Sequence, residues 1–86
     1  MNHRTTERFW QNHEALPLPV RERADKAFEL LRQNPQHPSL HFKSVGRFWS
    51  ARVDRQHRAL AVQEADTCIW FWIGDHDAYA RLLRRG

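Results

Sequence analysis

Arg52 and Arg58 sit inside short apolar runs, "FWSARV" and "HRALAVQ", where a guanidinium is out of place unless an anionic group meets it. A half-buried guanidinium needs a carboxylate or a phosphate, because its donors cost free energy when left unpaired away from water. One reading is an ion pair with Asp54, Glu64 or Asp66, the usual fate of a buried arginine. The other is a clamp for a phosphate group. A second reactive group follows the run "CIWFWI", which breaks at Gly74 into Asp75, His76 and Asp77. At the start of a helix the dipole opposes an imidazolium while two flanking acids favour it, a balance suited to a proton donor or acceptor near neutrality. The plain alternative is a capping or surface histidine. Tyr79, three residues on, shares the helical face of His76, so one site can use both. Equally, its ring can simply pack on a sheet.

Other chemistries find little support. His37 and His41 straddle "PS" with no further Cys or Asp cluster to complete three or four ligands, so no metal site is expected. No phosphate-binding glycine loop, nucleophile elbow or pair of catalytic carboxylates is present, and with 3 glycines in all no nucleotide cofactor is expected.

The elements that must hold these residues fit one small domain spanning residues 1–86, with 41% hydrophobic residues to build its core. Thr5 and Thr6 are candidate N-caps of a first helix along which Phe9, Trp10, His13 and Leu16 recur at helical spacing. After "LPLP", Pro19 suits the first position of a second helix whose stripe is Val20, Ala24, Ala27, Phe28 and Leu31. Asn34 before Pro35 ends it. The pattern then shifts to four short runs, 40–45, 48–53, 57–63 and 68–73, joined by hairpin-length connections, which predicts an antiparallel meander. Strand alternation places Arg52 with Ser50 and Phe48, and Arg58 opposite to His57. The last run is apolar on both faces, so it either sits centrally, covered on both sides, or presents one of its Trp faces as a functional surface. Asp75 can cap a final helix carrying Tyr79, Leu82 and Leu83 on one face, with Gly86 as its stop. The expected fold class is α+β: two N-terminal helices packed on a four-stranded antiparallel sheet, with a short C-terminal helix.

The formal charge of +4 and sequence pI near 10.2 suit an anionic partner. A single cysteine, Cys68, and a polar start "MNHRTTERFW" without a secretory leader point to the cytoplasm, and no stretch is long and apolar enough to predict a membrane span.

Taken in order, "ALPLPVRERADKAFELLRQNPQHPSLHFK", "WSARVDRQHRALAV" and "WFWIGDHDAYARLL" resemble small toxins of the bacterial RelE/ParE superfamily from type II toxin–antitoxin systems. The resemblance runs from the first helix to Leu83 and is most specific in "NPQHPSLHFK", "HRAL" and "IGDHDAY". It implies two N-terminal helices against an antiparallel sheet, in agreement with the periodicity. It further implies a ribosome-dependent messenger-RNA endonuclease that inhibits translation, restrained by a cognate antitoxin encoded nearby, with the ribosome and mRNA as its other partners. Cleavage in that branch is metal-independent and uses no cofactor. The 2′-hydroxyl attacks the adjacent phosphate, which calls for a base, an acid and positive charge over the pentavalent transition state. By position, Arg58 matches the charge stabiliser and His76 the acid or base, while Tyr79 matches an aromatic that orients or stacks on a base. Lys43, Arg47, Arg52 and His57 are candidate RNA contacts. Where some relatives carry a glutamate base before the first sheet strand, this chain has "NPQHPS", leaving His37 as the candidate. The superfamily also holds ParE-like inhibitors of DNA gyrase that catalyse nothing, and non-toxic relics that still bind antitoxin, and kinship of fold does not choose among them.

Overall fold

In the computed structural model, which describes residues 2–85, the greasy run forms β5 (Thr67–Asp75) and is hydrogen-bonded on both edges. On one side it pairs antiparallel with β4 (His57–Glu64), and β4 with β3 (Phe48–Asp54), and β3 with β2 (Lys43–Val45), as the meander pattern predicts. On the other side lies a strand that the meander reading lacks, β1 (Asn2–Thr5), parallel to β5 with Asn2 opposite Thr67 and Thr5 opposite Trp70. The sheet therefore has five strands, in the order β1-β5-β4-β3-β2, and is mixed rather than wholly antiparallel. Since β1 is polar throughout and sits at an edge, no alternation marks it. It is pinned from β5, where the Trp70 indole N–H donates to His3 Nδ1 at 3.1 Å.

The start of α1 (Glu7–Glu14) follows at once. Thr6 is its cap, accepting from the Phe9 N–H at 3.1 Å, while Thr5 closes the strand and accepts from the Trp10 indole at 2.9 Å. In α2 (Leu18–Gln33), Pro19 stands in the first turn, where a missing N–H costs nothing, and Asn34 ends the helix. These two helices cover one face of the sheet, where Phe9, Ala24 and Leu31 meet Trp70 and Ile73. Three small residues on that face, Ala51, Ala59 and Ala61, allow close approach of the helices. On the opposite face α3 (His76–Arg85) lays Tyr79, Leu82 and Leu83 over Leu60, Phe71 and Trp72. The two-sided apolar character of β5 follows from these layers. Gly86, the expected stop, lies outside the described residues.

A β-bulge lets β5 serve both layers. Leu60 pairs with Trp72 and Ala61 with Trp70, so Phe71 is an extra residue and two tryptophans spaced two apart point to opposite faces. Trp70 is 1% exposed and Trp72 8%. Each removes apolar area on the order of 4–6 kcal/mol gross from water. Between α2 and β2 the chain winds into a 3-10 turn, Pro38–Leu40, that buries Leu40, so β2 begins at Lys43 rather than at residue 40. His41 then turns the chain through a left-handed conformation, φ 44° and ψ 42°.

Candidate functional site

Strand register brings the two arginines face to face. Arg52 of β3 is the direct cross-strand partner of Arg58 in β4, and Arg58 in turn lies opposite Gly74 of β5. Neither guanidinium forms a salt bridge among the described residues. Arg58 instead donates from Nη1 to the Asp54 carbonyl at 2.6 Å and the His57 carbonyl at 2.9 Å. Burial pulls the Arg58 pKa below its ordinary value, and the Arg52 charge pulls it further, against the opposing influence of Tyr79 and Asp54. The expected carboxylate partner is thus absent: Asp54 turns its carboxylate elsewhere, and Glu64 and Asp66 sit at the far end of β4.

Beside this pair the α3 side of the sheet holds a cavity of ≈ 150 Å³. Its walls are His41 and Lys43 from the entry to β2, Ser50 and Arg52 from β3, Arg58 from β4, and His76 and Tyr79 from α3. One lysine, two arginines and two imidazoles line it, and no carboxylate does among the described residues. Tyr79 is fixed there, 8% exposed, its hydroxyl donating to Ser50 Oγ at 3.0 Å. His76 is held at the rim as the first residue of α3. Its backbone N–H donates to the Gln56 carbonyl at 2.6 Å, Asp75 caps the helix by accepting from the Ala78 N–H at 2.8 Å, and its ring lies 5.6 Å from that of Tyr79. Gly74 is needed just ahead of them, since a Cβ there would stand 2.5 Å from Cζ2 of Trp72.

Of the residues singled out from sequence, Arg58, His76, Tyr79, Lys43 and Arg52 converge on this cavity. Three others lie apart. Arg47 is in the β2–β3 turn with its guanidinium 5.2 Å from the centre of the Phe48 ring. His57 points the other way along β4, its Nδ1 donating to Asp54 Oδ1 at 2.9 Å near the start of α2. His37 caps the 3-10 turn, its Nδ1 meeting the Ser39 hydroxyl at 2.8 Å and the Ser39 N–H at 3.2 Å. Two wall residues were not singled out as site residues from sequence, Ser50 and His41. Alternation with Arg52 was the signal for Ser50. For His41 no periodic signal exists, because a left-handed bend aims it. Among the described residues no three His, Cys, Asp or Glu side chains gather in a way that could hold a metal ion, and no helix is long and apolar enough to cross a membrane.

With two helices on one face of this sheet and the closing helix on the other, the chain has the fold of the RelE/ParE toxins. It is similar to the toxin in the RelB-RelE antitoxin-toxin complex from Methanococcus jannaschii, with a TM-score of 0.71 and 13% identity over 92% of this chain and 96% of that one. YafQ from Escherichia coli strain BL21(DE3) matches with a TM-score of 0.67 and 12% identity, covering 91% and 96% of the two chains. A YoeB/ParE toxin from Agrobacterium tumefaciens matches with a TM-score of 0.65 and 14% identity, covering 88% and 99%. No family model matches the chain, and no curated protein matches it by sequence.

Proposed function

We propose that this chain is the toxin of a toxin–antitoxin pair and that it cuts messenger RNA on the ribosome, using the cavity between β2, β3, β4 and α3. The observation that carries this reading is the Arg52–Arg58 pair: like charges directly across two strands, half-buried, with no carboxylate between them. Such a pair costs stability in the free protein. A phosphodiester repays that cost by accepting from both guanidiniums.

In this reading Arg58, held by two turn carbonyls, and Arg52 spread charge over the equatorial oxygens as the 2′-oxygen attacks phosphorus. His76 at the rim exchanges a proton with the reacting oxygens. Tyr79, locked through Ser50, offers a fixed aromatic surface against which a base or ribose is placed. Lys43 extends the cationic wall, and Arg47 over Phe48 lies along the path by which the message enters. The products are a cyclic 2′,3′-phosphate and a 5′-hydroxyl, and neither metal nor cofactor takes part. An acidic, partly apolar antitoxin segment silences the protein by covering the cavity or displacing α3. A toxin–antitoxin assembly among the similar structures supports that partner.

The test is induction in cells followed by mapping of message 5′ ends. New ends with 5′-hydroxyls should appear with wild type and vanish with Arg58→Ala and His76→Ala. Arrested DNA replication over intact messages would instead establish gyrase as the target, and growth without defect would establish a relic.

A further inference from the structure

We infer that His57 is a positioning residue of this site: by holding the Asp54 carboxylate on the α2 side of the β3–β4 turn, it leaves the Arg58 charge free for an anion in the cavity. The role deepens the nuclease reading above and rests on it for the identity of that anion as RNA phosphate. By strict alternation Asp54, two residues after Arg52, would share the face of Arg52 and stand on the cavity side. The strand does not run that way. Arg52 pairs with Arg58 and Asp54 pairs with His57, so Val53 is an extra residue and the register shifts between them. Asp54 thereby comes to the face that His57 takes, beside a hollow that both line with Arg23 and Arg55.

The carboxylate is then restrained from three directions, unequally. His57 Nδ1 donates to Asp54 Oδ1 at 2.9 Å, with the two side chains only 15% and 19% exposed. The Gln56 N–H donates to the same oxygen at 2.9 Å, the local turn that an aspartate favours. Arg23 reaches Oδ2 at 3.3 Å from a side chain 58% exposed, where water screens most of its attraction. Among side chains His57 is therefore the main restraint.

Released, the carboxylate has a stronger partner close by. Arg58 Nη1 already donates to the Asp54 carbonyl at 2.6 Å, so the guanidinium lies against the Asp54 peptide, and a change of rotamer brings the carboxylate to it. That is the ion pair which the sequence allows and the folded chain avoids. Once formed, it takes from Arg58 the donors and the charge that a phosphate needs. His57 itself does not line the cavity, so it acts through Asp54 and touches no substrate.

The experiment is a double-mutant cycle read by the binding of inorganic phosphate, followed as the rise of melting temperature with phosphate at constant ionic strength. Arg58→Ala marks any binding outside the cavity. His57→Ala is accompanied by His57→Phe, which keeps a ring without a donor, so that a folding defect in one leaves the other to be measured. Expected is a loss of phosphate affinity of roughly tenfold or more in both, the worth of one charge-assisted hydrogen bond. Adding Asp54→Asn should restore most of it, because the residue set free no longer carries a charge. His57→Asn, whose amide N–H replaces the ring N–H, should rescue the single substitution without help. The value of kcat/KM for message cleavage on programmed ribosomes should follow the same order. Wild-type affinity in His57→Ala and His57→Phe, or double variants that bind no better than the single ones, would overturn the inference, and a ring that merely supports the fold gives the second result. A wild type that binds no phosphate would overturn it as well. Phosphate binding that follows the expected order in a protein that cuts no message would sink the nuclease reading and leave the role of His57 standing.

Discussion

Replacing Arg52 by methionine separates a phosphate clamp from a structural arginine, because the two predict opposite signs for stability. Methionine keeps an unbranched, apolar side chain in place of the aliphatic stem of Arg52. What is lost is a positive charge directly across from Arg58. Cross-strand pairs of this kind are worth about 0.2–1 kcal/mol, and here the sign is repulsive. Relief of about 0.5 kcal/mol would raise the melting temperature of a domain of this size by about 2–4 °C. The gain should shrink as salt is raised, since the screening length falls from about 10 Å at 0.1 M to about 3 Å at 1 M. Inorganic phosphate should stabilise wild type by about 1.4 kcal/mol at ten times its dissociation constant, and the variant much less. Loss of one charged hydrogen bond to the message, about 1.5–3 kcal/mol, should slow cleavage roughly 10- to 150-fold. Thermal melts at two salt concentrations, with and without phosphate, and one cleavage assay measure all of these. If Arg52→Met melts lower than wild type and cuts at the same rate, the pair is structural and the reasoning fails.

Three further outcomes are expected. Gly74→Ala would drive a methyl into the Trp72 ring and should cost about 1–3 kcal/mol in chemical denaturation; an unchanged midpoint would mean that the ring swings aside freely. Tyr79→Phe leaves the hydroxyl of Ser50, a residue 2% exposed, without its partner and should cost about 1–3 kcal/mol, whereas adding Ser50→Ala should recover part of it; a double-mutant cycle with no coupling would contradict the bond. Burial, reinforced by positive charge including that of Arg32, pushes the His3 imidazole below its ordinary value, and Nδ1 must stay unprotonated to accept from Trp70. The unfolded chain then binds the proton first, so this stability is complete above pH ~6.5 and lost as the pH falls through the folded value; melts of His3→Asn should show a flatter acid limb, and a parallel one would refute the linkage.

How much of this was legible in the sequence depended on whether the signal was local. The stripe of α2, the hairpins of β3 to β5 and the Asp75 cap follow from spacing within a few residues, and each is present. Alternation also grouped Ser50 with Arg52 and set Arg58 apart from His57, whereas the register of β3 against β4 is what brings both arginines to one cavity. Features that depend on a distant partner did not show. A polar β1 exists only because the edge of β5 accepts it in parallel, more than sixty residues away along the chain. The bulge at Phe71 is a property of two strands together, and it alone explains why Trp70 and Trp72 serve opposite layers. Likewise His41 rather than His37 reaches the cavity because one residue adopts a left-handed conformation, which no periodicity encodes.

The β3–β4 turn explains how a protein with ten acids keeps a cavity free of them. Asp54 is near enough to neutralise Arg58, yet its carboxylate is claimed three times from the other side. Oδ1 accepts from the Gln56 N–H at 2.9 Å and from His57 Nδ1 at 2.9 Å, and Oδ2 accepts from Arg23 Nη1 at 3.3 Å. Burial alone would raise the Asp54 carboxyl, but the hydrogen bonds from His57 and Gln56, with the charge of His57 and the Arg23 contact, hold it below its ordinary value. Only neutral carbonyls of the turn are left for the cavity side. Those of Asp54 and His57 take the Arg58 guanidinium, and that of Gln56 takes the His76 N–H. Arg58 is thereby oriented without being neutralised, and His76 is tied to the same few residues. His57 and Asp54 thus bear on the cavity only through the turn they close, and the guanidinium charge stays available to an anion because the nearest carboxylate is spent on folding.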